Sequence, residues 1–127
     1  MIVGIGVDMV EIHRVEQSLE RFGGRFAGKL LSAGELARFR DATMPAAFLA
    51  KRFAAKEAVA KALGTGMRAG VHFTQITIAR RKSGAPCVEL SGAAQQRADQ
   101  LGVASIHISI SDEADHAIAF AVMESSA

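Results

Sequence analysis

The sequence has few of the residues that typify disulfide-stabilised or base-stacking proteins. Of its 127 residues one is cysteine, two are proline and none is tryptophan or tyrosine. The single cysteine, Cys87, cannot form an internal disulfide, which indicates a reducing compartment, and we expect the cytoplasm. Without tryptophan or tyrosine, the chain lacks the usual aromatic platforms on which exposed bases stack.

Long apolar runs and a strong net charge are also missing. No apolar run approaches the roughly 20 residues that a membrane-spanning helix needs, and residues 1–8 lack the basic start of a signal peptide. The formal net charge is only +2, with a pI near 9.0. That charge is too mild for a protein that neutralises a long nucleic-acid backbone. We therefore expect neither a membrane nor a nucleic-acid partner.

The residues that are present suffice for one hydrophobic core. Half of them are hydrophobic and 22% are charged, and a chain of this length fits a single domain, which we assign to residues 1–127. A helical pattern runs from 12 to about 26, broken only by two glycines, and another begins near Pro45, which is favoured in a first helical turn, and runs to Leu63. Strands are predicted at 2–10, 75–80, 86–90, about 104–111 and about 116–123, and a turn at 83–85 predicts that the second and third of them form a hairpin. Helices followed by mostly adjacent strands predict an α+β fold with a largely antiparallel sheet.

Capping residues predict two further helices. Ser32 and Glu35 have the spacing of a capping box and predict a short helix to about Arg40. Ser91 can cap a helix that ends near Leu101.

A lone acid lies in the first predicted strand. Gly4 and Gly6 indicate a strand face where another backbone or a ligand comes close, and Asp8 lies on that face. With a second carboxylate such as Glu57, Asp8 would form a hard-oxygen site of the kind that Mg²⁺ uses. Alternatively, Asp8 ends the strand and caps the next helix.

The long central helix carries charges on its broad apolar face. At about 100° per residue, Arg52 and Lys56 project into the middle of this face, and Glu57 and Lys61 lie together at its border. A buried, unpaired cation is costly, so a helix that only packs would place its charges on the opposite side, and a functional site is one interpretation of this placement. The alternative is that Arg52 and Lys56 extend to solvent and that Glu57 and Lys61 form an ordinary surface pair.

Arginines recur along one side of the first helical segment, next to its apolar stripe. We call Arg14, Arg21 and Arg25 the basic ridge. Such a ridge suits an acidic protein helix, because complementary charge steers the encounter while apolar contacts hold the complex. A solvated helix face is the alternative.

One histidine also stands out. In the strand predicted at about 104–111, His107 lies with Ser109 and Ser111 on the face opposite the apolar residues. A functional role and an ordinary polar strand face explain this position equally well. The other three histidines show no metal-ligand spacing.

Four segments, in order, resemble a known family. They are 4–8 (Gly-Ile-Gly-Val-Asp), 52–62 (Arg-Phe-Ala-Ala-Lys-Glu-Ala-Val-Ala-Lys-Ala), 64–66 (Gly-Thr-Gly) and 106–111 (Ile-His-Ile-Ser-Ile-Ser). Over essentially its whole length the chain resembles the holo-acyl-carrier-protein synthase family, the short bacterial type of 4′-phosphopantetheinyl transferase. The resemblance implies transfer of 4′-phosphopantetheine from coenzyme A to a serine of apo-acyl-carrier protein, with release of 3′,5′-ADP, in fatty acid biosynthesis.

The resemblance also implies catalytic residues. Asp8 and Glu57 are implied to bind Mg²⁺ and, with Lys61, to form the catalytic set. The sequence does not distinguish between Glu57 and a metal-bound water as the base that takes the serine proton.

Further residues are implied to bind substrates. Lys61, Arg52 and His107 are implied to contact coenzyme A phosphate, and the loop from Gly64 to Gly66 to pass close to the coenzyme. The basic ridge would then dock the carrier protein.

The family is trimeric, with ligand sites between neighbouring subunits, so we expect a homotrimer. His13 stands beside Arg14 where relatives often have another basic residue, which makes the basic ridge less positive at pH 7. Two other functions stay open. One is a non-catalytic module that docks an acidic helix, and the other is a Mg²⁺-dependent phosphohydrolase with water as the acceptor.

Overall fold

The computed structural model describes residues 1–126 and has the expected α+β fold. The elements in chain order are β1 (Ile2–Glu11), α1 (Ile12–Phe22), α2 (Gly24–Leu30), α3 (Ala33–Arg40), α4 (Pro45–Ala62), a short 3-10 helix (Phe73–Gln75), β2 (Ile76–Arg80), β3 (Pro86–Leu90), α5 (Gly92–Leu101), β4 (Val103–Asp112) and β5 (His116–Ser125). Among these residues, no helix is both long and apolar enough to cross a membrane.

The strands form two antiparallel sheets within residues 1–126. One has the order β1-β5-β4, and the other is the β2-β3 hairpin. Asp8 pairs with Ala119, which in turn pairs with Ile110. The predicted hairpin and the largely antiparallel arrangement are confirmed.

α4 crosses one face of the three-stranded sheet at very close range. A Cβ added at Gly4 would overlap the carbonyl oxygen of Ala62, and one at Gly6 would overlap that of Ala58. Because side chains alternate along a strand, Asp8 lies on this same face. The two glycines therefore let β1 bring Asp8 directly against α4.

α4 is buried on nearly every side, so the prediction of a single apolar face is wrong. The helix contacts β1, β4 and β5 of the three-stranded sheet, and it also contacts α1, α2, α3 and β2. Its buried residues are Ala47, Leu49, Ala50, Arg52, Ala54, Ala55, Lys56, Ala58, Val59, Ala60 and Ala62.

The first helical segment is two helices. Gly23 has φ 56° and ψ −134°, and its N–H donates to the carbonyl of Leu19, which ends α1. A positive φ of this kind favours glycine. Arg25 consequently lies on α2, so the prediction that all three arginines share one face of the first helix is wrong.

α5 is capped by a residue distant in sequence. Ser91 precedes the helix, as predicted, but its side chain makes no cap hydrogen bond. Instead, Oε1 of Gln75 accepts the N–H of Ala94 at 3.1 Å. A side chain from the 3-10 helix thus satisfies an N–H of the first turn of α5.

The other face of the three-stranded sheet is left uncovered by residues 1–126. Its exposed apolar residues are Ile5, Val7, Met9, Ile118 and Phe120. By strand alternation and register, His107 and Ser109 lie on this face too. We call it the open sheet face. Such a large apolar patch marks an interaction surface.

Candidate active site

A cavity of about 600 Å³ opens where β1 meets α4. Asp8 and Glu57 both line this β1–α4 cavity, and Arg14, Ser18 and His116 contribute to its wall. The two carboxylates proposed as a pair from the sequence are therefore brought together by the fold.

Asp8 is paired with Lys61, which lies one helical turn after Glu57 on α4. Lys61 Nζ lies 3.1 Å from Oδ1 of Asp8 and donates to the carbonyl of Val7 at 3.0 Å. The helix-capping alternative for Asp8 does not hold, because α1 begins after Glu11 and has no side-chain cap.

Glu57 lies in an environment that disfavours its negative charge. Burial and the nearby Asp8 carboxylate raise the pKa of Glu57, and Lys61 only partly opposes them. Two carboxylates that repel each other in a partly enclosed cavity attract a cation.

The donor set fits Mg²⁺. Asp8 and Glu57 supply carboxylate oxygens, and within residues 1–126 no cluster of three or more acidic, histidine or cysteine side chains could hold a metal. Mg²⁺ commonly takes one or two carboxylates and completes its octahedron with water and substrate phosphates.

Arg52 and Lys56 do not extend to solvent, so that part of the alternative interpretation is wrong. Lys56 has no exposed surface and Arg52 is 5% exposed. Lys56 Nζ donates to Oε1 of Glu35 at 2.5 Å and to the carbonyls of Leu30 and Phe73 at 2.6 and 3.1 Å. Both cations lie beside an acid on α3.

The structure shows Arg52 in a contact with other side chains of the chain, and its contact with coenzyme A phosphate stays a prediction. Its Nε lies 3.1 Å from Oε2 of Glu35 without hydrogen-bond alignment, and its guanidinium sits 4.6 Å from the ring centre of Phe48. Burial lowers the pKa of Arg52, although Glu35 opposes the effect. To reach a coenzyme phosphate, Arg52 would have to leave this ion pair.

Sequence analysis missed the role of Glu35. The capping box is present, with Glu35 Oε1 accepting the N–H of Ser32 at 2.9 Å. Glu35 also pairs with Arg52 and Lys56, and the sequence carried one signal of that role. These two residues are cations on an apolar helix face, and buried cations require a nearby anion.

His107 is not part of the β1–α4 cavity. It lies on the open sheet face, opposite the face that carries Asp8, and its Nε2 is 3.0 Å from Oε1 of Glu124. The hydrogen bond from His107 lowers the pKa of Glu124. His107 instead lines a second cavity of about 330 Å³, together with Arg81.

Gly64 and Gly66 lie in the turn that ends α4. Their φ values are 78° and 58°, and the N–H of Gly66 donates to the carbonyl of Ala60 at 3.0 Å. These conformations favour glycine, so the turn has a structural requirement for both residues.

The basic ridge is divided between two surfaces. Arg14 lies at the β1–α4 cavity, 3.4 Å from Glu11, with 78% of its side chain exposed. Arg21 stacks over Phe22 at 5.2 Å. Arg25 lines a small apolar cavity of about 240 Å³ with Lys29, a cation that sequence analysis did not include.

Comparison with known proteins identifies the family. The model of the 4′-phosphopantetheinyl transferase superfamily matches residues 4–121. The chain belongs to this superfamily. It is 50% identical over 124 residues to the holo-[acyl-carrier-protein] synthase of Vibrio cholerae O395, covering 98% of both chains. It is 49% identical over 122 residues to that of Shewanella amazonensis, covering 96% of this chain and 98% of the relative. The predicted resemblance is confirmed.

Solved structures of the superfamily have the same fold. Holo-[acyl-carrier-protein] synthase of Neisseria meningitidis superposes with a TM-score of 0.92 at 43% identity, covering 98% of this chain and 99% of that one. The Bacillus anthracis protein, in complex with CoA (3′,5′-ADP), gives 0.83 at 34% identity and 99% coverage of both chains.

Proposed function

We propose that this chain acts as a holo-[acyl-carrier-protein] synthase, transferring 4′-phosphopantetheine from coenzyme A to a serine of apo-acyl-carrier protein. The observation that carries the proposal is 50% identity to a holo-[acyl-carrier-protein] synthase across 98% of both chains. Structures of the Bacillus anthracis and Helicobacter pylori proteins with coenzyme A support the choice of coenzyme.

In the reaction, the serine oxygen bonds to the β-phosphorus of the coenzyme A pyrophosphate. The bond from that phosphorus to the bridging oxygen breaks, 3′,5′-ADP leaves with the electron pair, and the serine proton passes to a base. Phosphoryl transfer of this kind depends mainly on positioning and on stabilising negative charge.

The Asp8 and Glu57 carboxylates would hold Mg²⁺ in the β1–α4 cavity. When bound, Mg²⁺ neutralises charge on the phosphoryl oxygens. The raised pKa of Glu57 and its proximity to Asp8 support this assignment, because a divalent cation relieves the repulsion between the two carboxylates.

Lys61 would stabilise the negative charge that develops on the pyrophosphate. Its side chain is half exposed and lies against Asp8, so its ammonium would be accessible to a phosphate beside a Mg²⁺ ion that this carboxylate helps to hold. A fixed positive charge where negative charge develops lowers the barrier to transfer.

The basic ridge would dock the carrier protein. Arg14 supports this role, because its exposed guanidinium lies at the β1–α4 cavity and would meet a negatively charged partner beside the reacting groups. Arg21 and Arg25 extend the positive surface away from the cavity.

The working form would be a cytoplasmic homotrimer with shared sites. The open sheet face is an apolar surface that a neighbouring copy would cover. His107 lies on that face and Asp8 on the other, so both residues could serve one coenzyme site only if they came from different chains.

A transfer assay tests the proposed function. The protein is mixed with apo-acyl-carrier protein, coenzyme A and Mg²⁺, and the carrier is examined by mass spectrometry. We expect the phosphopantetheine mass increment on the carrier together with released 3′,5′-ADP. A binding module would give neither product, and a hydrolase would release 3′,5′-ADP without any carrier protein. The Asp8→Asn variant, which keeps the side-chain shape, is the matched control.

A further inference from the structure

Glu35 is a buried carboxylate that no step of the proposed reaction uses. It is 1% exposed. Oε1 accepts a hydrogen bond from Lys56, and Oε2 accepts the N–H of Ile78 at 3.1 Å and lies 3.1 Å from Nε of Arg52. Glu35 thereby connects α3 to both α4 and β2.

Lys56 completes this connection. Its three donors are all used, by Glu35 on α3, by the carbonyl of Leu30 at the end of α2 and by the carbonyl of Phe73 in the 3-10 helix. The side chain therefore fixes one position of α4 against three other segments.

The fixed position of α4 determines the direction in which the Glu57 side chain projects. Successive helical residues are about 100° apart around the axis, so Glu57 projects at a set angle from Lys56. On its sheet side, α4 meets Gly4 and Gly6 through Ala58 and Ala62. These small residues allow close approach, but their methyl groups have no directional donor of the kind that Lys56 supplies.

Stability alone is a weak reason for such a pair. Taking two charges out of water costs several kcal/mol, and apolar replacements of buried ion pairs are often neutral or stabilising. A role in fixing the orientation of α4 accounts for the Glu35–Lys56 pair better than a contribution to the free energy of folding does.

We propose that Glu35 and Lys56 are positioning residues that hold α4 in the rotation that aims the Glu57 carboxylate into the β1–α4 cavity. The inference rests on the proposed function, since Glu57 matters there as a metal-binding residue. Neither positioning residue touches the substrates.

The test uses Glu35→Gln, Lys56→Met and the double variant in the full chain. Lys51→Met is the matched control, because Lys51 lies on the same helix and its ammonium lies 3.9 Å from Asp112 in a partly exposed pair. Each protein is assayed for kcat, for the KM of both substrates and for thermal unfolding. Mn²⁺ binding to the free protein is measured by electron paramagnetic resonance.

We expect the Glu35 and Lys56 variants to lose about tenfold or more in kcat and about tenfold in Mn²⁺ affinity, as misplaced ligands do. The KM for the carrier protein should stay within about twofold, because rim contacts are unchanged. The double variant should lose no more than the worse single variant, because the two residues act as one unit. Lys51→Met should behave as the wild type.

Several outcomes would overturn the inference. A lower melting temperature with wild-type kcat and Mn²⁺ affinity would make the pair merely structural, and additive losses would show that Glu35 does not act through Lys56. If Lys56→Met does not fold, Glu35→Gln carries the test, because its amide keeps the shape and an acceptor. If the wild type transfers no phosphopantetheine, the proposed function fails, whereas Mn²⁺ binding still decides the positioning role.

Discussion

The ammonium of Lys61 lies 3.1 Å from Oδ1 of Asp8 and 3.0 Å from the carbonyl oxygen of Val7. One side chain of α4 thus holds both the carboxylate and the backbone of β1 at the edge of the cavity. Lys61 also partly offsets the repulsion between Asp8 and Glu57. Its charge is therefore already located where a pyrophosphate would bring more negative charge.

Replacing Lys61 by alanine should slow transfer. We expect kcat/KM to fall by the equivalent of about 2–4 kcal/mol, the usual cost of deleting one preorganised electrostatic donor. Steady-state kinetics measures the change, with Lys82→Ala as the control for removing an exposed lysine elsewhere. A rate within about threefold of the wild type would assign Lys61 to an ordinary surface pair.

Glu57→Gln should nearly abolish transfer while raising the melting temperature of the metal-free protein at about pH 8. Because burial and Asp8 raise the pKa of Glu57 above its ordinary value of 4.5, its ionised form is disfavoured in the folded state. This penalty is absent below the ordinary pKa and complete above the raised one, so the gain should vanish near about pH 4.

Thermal unfolding across that pH range checks this prediction. Glu113→Gln makes the same chemical change at an exposed position and should leave the melting temperature nearly unchanged. A lower melting temperature for Glu57→Gln at about pH 8 would mean that the carboxylate is satisfied in the metal-free protein.

Gly6→Ala should destabilise the fold and reduce activity together. The added methyl would overlap the carbonyl oxygen of Ala58 and stand 2.9 Å from the amide nitrogen of Ala62, both of them backbone atoms. We expect a loss of about 1–3 kcal/mol in the free energy of unfolding, as for other overpacked sites. Gly34→Ala is the control, because nothing lies within 4 Å of its added methyl. Equal denaturation curves for the two variants would contradict the close approach of β1 and α4.

Arg14→Glu should raise the KM for apo-acyl-carrier protein and leave the KM for coenzyme A nearly unchanged, since rim charges act on encounter more than on chemistry. The wild-type carrier KM should also rise with salt, as the Debye length shortens from about 10 Å at 0.1 M to about 3 Å at 1 M. Arg40→Glu makes the same charge reversal on α3 and should change neither constant. If Arg14→Glu weakens coenzyme A instead, α1 faces the nucleotide.

Phe120→Glu should disrupt self-association. Phe120 is 45% exposed at the centre of the open sheet face, where a second copy would have to bury the new carboxylate at high cost. Light scattering should give a trimer for the wild type and for Met44→Glu, whose position is exposed away from that face. A fully active wild-type monomer at assay concentration would contradict the homotrimer.

Mixing two inactive variants tests the shared site directly. Asp8→Asn and His107→Ala each remove one residue from opposite faces of the same sheet. If neighbouring chains contribute these residues to one site, a mixture of the two variants should recover part of the activity that each lacks. No recovery after subunit exchange would contradict a shared site and would mean that His107 does not serve the site that contains Asp8.

Local patterns were sufficient to predict most of the fold. Pro45 at the start of α4, the turn at Ser83 and Gly84, and the glycine spacing of β1 each depend on short-range chemistry, and the structure has the elements predicted at these three places. The glycine spacing also predicted the close approach that places Asp8 against α4.

Long-range pairing could not be predicted in the same way. Glu35 and Lys56 are 21 residues apart, and Asp8 and Lys61 are 53 apart, so neither pair leaves a local pattern. That His107 and Asp8 lie on opposite sheet faces follows from the registers of β1, β5 and β4, which alternation within one strand does not specify. The separation of α2 from α1 depends on the non-helical φ and ψ of one residue, Gly23.

The alanine surface of α4 has a consequence for how the site can vary. Ala58 and Ala62 meet β1, and Ala54, Ala55 and Ala60 are buried around them. Alanine has no side-chain rotamers, so these contacts lose no side-chain entropy on folding and have no alternative packing to adopt. The separation of the β1 and α4 backbones that carry Asp8 and Glu57 therefore has little freedom to vary. Adjusting that spacing would require a rigid shift of the whole helix or a change in the strand beneath it.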